Sequence, residues 1–453
     1  MRRGGKTNWK KQFKLRHNWS KGSCAVNEIE VAEQAAVPPV LVEMHDGIIF
    51  MADQTDGLRA WSAKGERKMV AQILPPEDCV APPTSLALEA IEDGEGATNV
   101  IVGYEDGSFS LYTLRASEGS FSHRYSHEPS SNGVVSAVAL RYPYAVTMTA
   151  TQRLSLYCFR ETSRSRTGEA ALSDPRLLHS LKSHTVWPPL STCLRLVGSD
   201  ILISIAYALP TYLSGWTVGI QEISMDPTGQ LLHSRLTSAI DQHYRPLAFS
   251  TQPTAFHLPA PMPGALATST ATELRHIHSK PTSLSYTHPY LLVSHPDNTL
   301  TLYLVTSTPE ILSISHGSRL WGHTSSVSGA HVGDRGKAVS VSRRGDELRV
   351  WELEGGFASS AARKRLATGD LSVQLRPDRR QKSAAAEGAH QAGLDLVNNA
   401  QSAVVLSGGP LLDQDAASEL TLTRGWIGFD DENVVVLKEQ SQGRQALVVY
   451  DFT

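Results

Sequence analysis

The chain has 453 residues, 41% of them apolar, with 42 Lys and Arg against 45 Asp and Glu, 34 Gly and 24 Pro. That is enough for a large core, and it excludes wholesale disorder and a collagen-like repeat. The absence of an 18-residue apolar run argues against a membrane-spanning helix, and the basic start Met1-Arg2-Arg3 leads into no apolar stretch that a secretory signal would need.

Residues 1–26 read as a basic helical linker. Arg2, Arg3, Lys6, Lys10, Lys11, Lys14, Arg16 and Lys21 meet no acid before Glu28, so a basic arm precedes a body with a net charge of −11. Such an arm suits an acidic protein face, an anionic lipid or a nucleic acid, or it is a solvated helix. The four cysteines, Cys24, Cys79, Cys158 and Cys193, are widely scattered, as expected of reduced thiols and not of a disulfide framework or zinc site.

From residue 27 onward short β-type runs alternate with polar turns. Five hairpins share one register: Gly47–Ala52 into Leu58–Trp61, Asn99–Gly103 into Phe109–Tyr112, Tyr144–Thr149 into Leu154–Tyr157, Tyr290–Ser294 into Leu300–Tyr303, and Lys337–Ser342 into Leu348–Trp351. Each second strand ends in an aromatic after apolar/polar alternation, and most of the turns carry the Gly, Asp or Asn that hairpins favour. Neighbouring aromatics are spaced 51 residues (Trp61 to Tyr112), 45 (Tyr112 to Tyr157) and 48 (Tyr303 to Trp351), which fits a four-stranded unit with loops. Leu190–Leu236 supplies a further unit, and Leu420–Phe429, Asn433–Lys438 and Ala446–Phe452 supply three strands of a last one.

Asn27–Ala32 alternates well enough to be that unit's fourth strand, closing a ring and protecting its edges. The expectation is an all-β, seven-bladed propeller over 27–453, with blades starting near Val40, Pro83, Val134, Leu190, Thr282, Ser326 and Leu420. Two long loop insertions interrupt it, at about 237–280 and 355–418. The second is expected to be mobile and partly helical, and its clusters Arg363-Lys364-Arg365 and Arg379-Arg380 fit a nuclear-import signal.

Ser318–Leu353 resembles a WD40 repeat. Gly322-His323 precedes Trp351-Glu352, with Trp351 28 positions after His323, where the family has a Gly-His and a Trp-Asp pair. The resemblance implies a buried set of His323, Ser340 or Ser342, and Trp351, with His323 structural. The family's turn Asp falls six residues before the aromatic. That position is Asp106 before Tyr112 and Asp297 before Tyr303, but Thr55 before Trp61, Thr151 before Tyr157, and Gly345, with Asp346 one step on, before Trp351.

The segment Trp9–Gly22 resembles the linker between F-box and propeller in F-box/WD-repeat proteins. Trp9 and Phe13 share one helix face, while Asn18, Trp19 and Gly22 form an Asn-Trp-x-x-Gly-like exit. The family implies a substrate receptor of a cullin–RING ubiquitin ligase, whose F-box docks on an adaptor and whose propeller selects the target. The eight residues ahead of Trp9 are too few for an F-box, so adaptor and cullin are expected partners only where such an element lies upstream.

No Walker loop, GxSxG elbow or HExxH occurs. His276 and His278, with Glu273 near, read as a solvated loop and not a metal site; the acidic turn Glu92–Gly96 lacks ordered calcium-ligand positions. No enzyme activity, metal or cofactor is expected. What remains is recognition of protein partners by a monomeric propeller in the cytoplasm or nucleus, without membrane or nucleic-acid binding. The partner-binding rim is expected at Thr55, Glu105, Gln152, His295, Arg343, Arg344 and Arg444; Arg343 and Arg344 begin the kind of Arg cluster that pairs with phosphate, though Thr55 and Glu105 do not continue it. The rival reading is a scaffold propeller of an unrelated complex in chromatin, RNA processing or trafficking.

Overall fold

The computed structural model describes residues 9–75, 81–91, 96–160, 175–183, 187–210, 215–239, 279–333, 335–343, 347–353, 372–377, 426–439 and 443–453. Among the described residues one helix, α1 (Trp9–Lys21), precedes seven sheets whose blade strands pair antiparallel. The first strands of the sheets begin at Leu41, Pro83, Val135, Trp187, Ser283, Val327 and Ile427, and each touches the first strand of the next sheet, the seventh returning to the first. The fold is therefore a seven-bladed β-propeller whose first strands ring the axis.

The two-sided burial that builds it is legible in single strands. In Ile48–Asp53, Ile49 and Met51 pack with Val435, Leu437, Leu447 and Val449 of blade seven. Phe50 and Ala52 point the other way, into Val100, Val102 and Tyr112 of blade two. Alternation sends successive side chains to opposite faces, so every blade shares one apolar cluster with each neighbour. Seven such clusters, one per seam, make up the core.

Blade seven is completed by the N-terminus. Ser23–Ala32 pairs antiparallel with Gln445–Asp451, which in turn pairs with Asn433–Glu439. The closing strand thus starts at Ser23, four residues earlier than the sequence pattern marks it, and it is bulged between Glu30 and Ala32. The seam to blade one is locked by Arg59, which is almost wholly buried: its guanidinium donates to the Val31 carbonyl and pairs with Asp53. Arg67 adds a 2.7 Å ion pair to Asp451.

The expected 355–418 insertion is not one uninterrupted loop. Ser372–Gln374 is the outer strand of blade six, paired with Arg349–Trp351, and Arg376–Pro377 runs parallel to Ser23–Cys24. Three residues are too short to show a β pattern in sequence, and a strand this brief is held by its neighbours. The remainder of this region and residues 240–278 lie outside the described residues, as do Glu92, Glu273, His276, His278 and the basic clusters.

A charged cluster pins blade four to blade five. Glu222, fully buried, pairs with Arg195 at 3.3 Å and Arg235 at 2.9 Å and accepts from the hydroxyls of Ser204 and Ser307. Arg235 also donates to the Thr308 and Pro309 carbonyls across the seam. Removing one partner of a buried pair strands the remaining charge, at a cost of about 3–5 kcal/mol. Glu222→Ala is expected to lower the unfolding free energy by that amount in urea titrations, and a loss under about 1 kcal/mol would mean that the cluster contributes no net stability.

Candidate functional site

Two surfaces stand out, on opposite faces of the ring. The first carries α1. The outer strand of a blade starts on the face where the first and second strands are joined, so the helix that runs into Ser23–Ala32 is delivered there. Its inner side is anchored. Trp19 is 4% exposed, stacks on Phe452 with ring centroids 3.9 Å apart, donates its indole N–H to the Asp431 carbonyl at 2.9 Å and lies under the Lys337 ammonium. Asn18 Nδ2 donates to the Phe452 carbonyl, Lys14 to that of Thr453, and Lys11 pairs with Glu432 at 2.8 Å.

Gly22 ends the helix with φ +68°, and a Cβ there would collide with the Gln374 carbonyl oxygen. Glycine is required on both counts. Asn18 therefore acts inside the helix, as a tether to the chain's C-terminal end, and not at its exit. Trp9 and Phe13, 75% and 74% exposed, lie on the outer side, where Phe13 stacks on His17.

Beneath the helix a groove of about 880 Å³ runs between Leu15, Met44, Phe429 and His331. Several of its charges are paired: Lys64 faces Asp46, Asp430 and Glu432, and Arg335 pairs with Asp431. Burial pushes the Asp430 carboxyl up despite the Glu432 and Asn433 N–H donors.

The second surface is the opposite rim, formed by the turns between second and third strands and by the loops between blades. The blade-six hydrogen-bonded set is complete here. His323 Nε2 lies 2.6 Å from Ser340 Oγ, which accepts the Trp351 indole N–H at 2.8 Å. The fourth member is Glu347, whose Oε2 is 3.5 Å from His323 Nδ1 and accepts hydrogen bonds from the backbone N–H and the hydroxyl of Thr324.

Burial alone would raise the Glu347 carboxyl. The Thr324 N–H, the Arg349 guanidinium, the Thr324 hydroxyl and His323 together hold it below the usual range. Glu347 stands four residues before Trp351, two later than the family's acid, so counting back six could not find it; a search for any acid ahead of the Trp would have done so.

The other repeat positions serve packing. Tyr112, Tyr303 and Trp351 are buried in seams, and Trp61 and Tyr157 pack partly buried against theirs. Asp106 and Asp297 cap their own turns by accepting from the N–H and hydroxyl of Ser108 and Thr299, and do not bind a structural histidine as Glu347 does.

Of the expected rim, Thr55, Glu105, Arg343 and Arg444 are exposed, Arg444 paired with Glu30, while Gln152 is half-buried in a left-handed turn. Arg344 lies outside the described residues. His295 is a correction: it is 2% exposed, its Nε2 2.8 Å from Thr301 Oγ1. It follows a strand in which every residue after Tyr290 is buried, and the chain reaches the surface only at Pro296. Among the described residues no group of three or more His, Cys, Asp and Glu is arranged to hold a metal ion, and no helix is long and apolar enough to cross a membrane.

This geometry defines a WD40-type propeller with an anchored N-terminal helix, a fold built for protein interaction. The chain belongs to the family described as the F-box protein pof12 beta-propeller, which matches residues 24–453. It is similar to F-box protein pof12 of Schizosaccharomyces pombe (strain 972 / ATCC 24843), 41% identical over 64 residues, a match that spans only 14% of either chain. Among solved structures it is similar to U3-55K (TM-score 0.46, 9% identity, covering 94% of this chain and 98% of that one). It is also similar to BBS1N in complex with ARL6DN (0.43, 12%, 94% and 96%) and to the WD40 propeller domain of Doa1 (0.40, 10%, 94% and 96%).

Two outcomes follow for these surfaces. Trp19→Ala removes a buried ring and its hydrogen bond and is expected to cost about 3–5 kcal/mol. It should expose Lys14, Arg16 and Lys21 to trypsin, whereas the double variant Trp9→Ala/Phe13→Ala should change neither stability nor cleavage; equal trypsin resistance of W19A would show that Trp19 is not the anchor.

Burial holds His295 near 4 against an ordinary 6.5. The folded state therefore refuses a proton that the unfolded chain accepts, and stability is full above pH 6.5 and falls as pH drops toward 4. The loss is about 3 kcal/mol at most. His295→Gln should flatten that part of the pH profile of the urea midpoint, and an unchanged profile would place the acid sensitivity elsewhere.

Proposed function

We propose that this chain is a non-catalytic, target-recruiting subunit of a cullin–RING ubiquitin ligase of the F-box type, working in the cytoplasm or nucleus. The observation that carries the reading is the two-sided linker helix in a member of an F-box protein propeller family. One side of α1 is committed to the propeller through Trp19, Asn18 and Lys11. The other presents Trp9 and Phe13 on a fixed support, with Lys10 and Arg16 beside them and no acid in the helix. Two large exposed rings on an anchored helix favour association, because covering them removes apolar surface from water without ordering the helix anew. The outer side of α1 would then hold the adaptor-binding part of the ligase at a set distance from the rim that receives the target.

Affinity capture of the full gene product tests this. The ligase adaptor and a cullin should co-purify with the wild type and be lost with Trp9→Ala/Phe13→Ala, while the propeller stays folded. A stable complex that contains neither would replace the ligase reading with that of a scaffold propeller.

A further inference from the structure

The turn between the third and outer strands of blade five carries a modification site. It joins Leu300–Ser307 to Leu312–Ile314, and because an outer strand starts on the helix-bearing face, the turn lies there. Its residues Thr308, Pro309 and Glu310 are all exposed. The chain has 24 prolines, and Thr308 is the one Ser or Thr that a proline follows. The residue before a proline is held extended. Thr308 therefore prolongs the line of its strand while its hydroxyl stands at the surface.

The turn is fixed on both sides of that hydroxyl. Thr308 N–H donates to the Ile311 carbonyl at 2.9 Å, and Ile311 N–H donates back to Thr308 Oγ1 at 3.0 Å. Thr308 Oγ1 itself donates to Glu310 Oε2 at 3.2 Å. From the outer strand of blade four, the mostly buried Arg235 reaches across the seam, and its Nη1 donates to the Thr308 and Pro309 carbonyls. Its Nη2 donates to Glu222 at 2.9 Å and to the Ser307 hydroxyl at 3.4 Å. Its Nε–H has no acceptor among the described residues. A guanidinium with a donor to spare is thus locked onto the backbone of the residue whose hydroxyl is presented.

We propose that Thr308 is a phosphorylation site for a protein kinase that selects proline after the acceptor, and that Arg235 receives the phosphate. Thr308 Oγ1 attacks the γ-phosphorus of Mg-bound ATP and its proton passes to the base of the kinase. The bond from that phosphorus to the β–γ bridging oxygen breaks, and ADP leaves with the electron pair. Oγ1 then has no proton to donate to Glu310, whose carboxylate repels the new dianion. The phosphate turns instead to the guanidinium already fixed on this turn, since arginine pairs bidentately with phosphate. Arg235 then carries two anions, Glu222 from blade four and the phosphate from blade five. The modification therefore acts on the contact that pins these two blades together. The site uses neither the rim nor α1, and it does not depend on the recruiting role given above.

The test incubates the whole chain with Mg-ATP and a purified proline-directed kinase. One phosphoryl group per chain is expected, placed on Thr308 by mass mapping of its peptides, with none on Thr308→Ala. Transfer to Pro309→Ala should slow by about tenfold or more, because the hydroxyl is kept and the selecting residue is not. Phosphorus NMR of the modified chain then reads the contact with Arg235. A phosphothreonine takes up its second proton with a pKa of about 6. The carboxylates of Glu222 and Glu310 act to raise that midpoint, and a guanidinium lowers it. A midpoint below that of a synthetic peptide of residues 303–313, phosphorylated at Thr308, therefore reports the guanidinium. No transfer, transfer to another residue, transfer to Pro309→Ala at the wild-type rate, or a midpoint at or above that of the peptide would overturn the proposal.

Discussion

A ring of sheets is only as strong as its last seam, and here that seam is made by chain from the opposite terminus. Ser23–Ala32 pairs with Gln445–Asp451, and Arg59 of blade one reaches the Val31 carbonyl behind it. Without the N-terminal strand, blade seven would show an unpaired edge, and Ile29 and Val31 would leave the cluster joining blades seven and one. The cluster between blades six and seven also depends on this end of the chain, because Trp19 and Cys24 belong to it. The position of α1 follows. A helix one glycine away from the closing strand has no choice of face, and Trp19 and Asn18 convert that proximity into a fixed angle.

The same closure explains how much of the fold was legible in sequence. Alternation within single strands reports that both faces are covered, and five hairpins in register report a repeat, so the architecture follows from local patterns. Asn27–Ala32 was recognisable as the closing strand because its pattern matches strands it meets only after the whole ring is built. The outer strand of blade six was not. Ser372–Gln374 has no pattern of its own, since an outer strand is buried on part of one face and takes its register from Arg349–Trp351.

The sites were less legible, and for a different reason. Glu222 lies in a strand whose sequence, Trp-Thr-Val-Gly-Ile-Gln-Glu-Ile-Ser-Met, gives no hint that Arg195 and Arg235 converge on it from the neighbouring strands, or Ser307 from the next blade. Glu347 replaces the expected acid because what the imidazole needs is a carboxylate oxygen in reach; a longer side chain two residues on can supply it. Turn position suggested that His295 was a rim residue. The strand remains buried one residue longer than the turn pattern implies, and the ring is spent on Thr301. Turn positions predict where the backbone reverses, not which side chains are left over for a partner.

What is left over is therefore the informative quantity, and it differs between the two faces. On the helix-bearing face Lys11, Lys64 and Arg335 each have a carboxylate within 4.0 Å, Lys337 lies over the Trp19 ring, and the outer side of α1 offers exposed rings. On the opposite rim, among the described residues, Asp297 and Glu347 are engaged by Arg319 and Arg349 of their own blades. The helix face offers apolar area, Trp9 and Phe13, beside basic side chains. Because every seam between the blades is a packed cluster and the closing seam carries α1, the helix is held at a fixed geometry to the opposite rim.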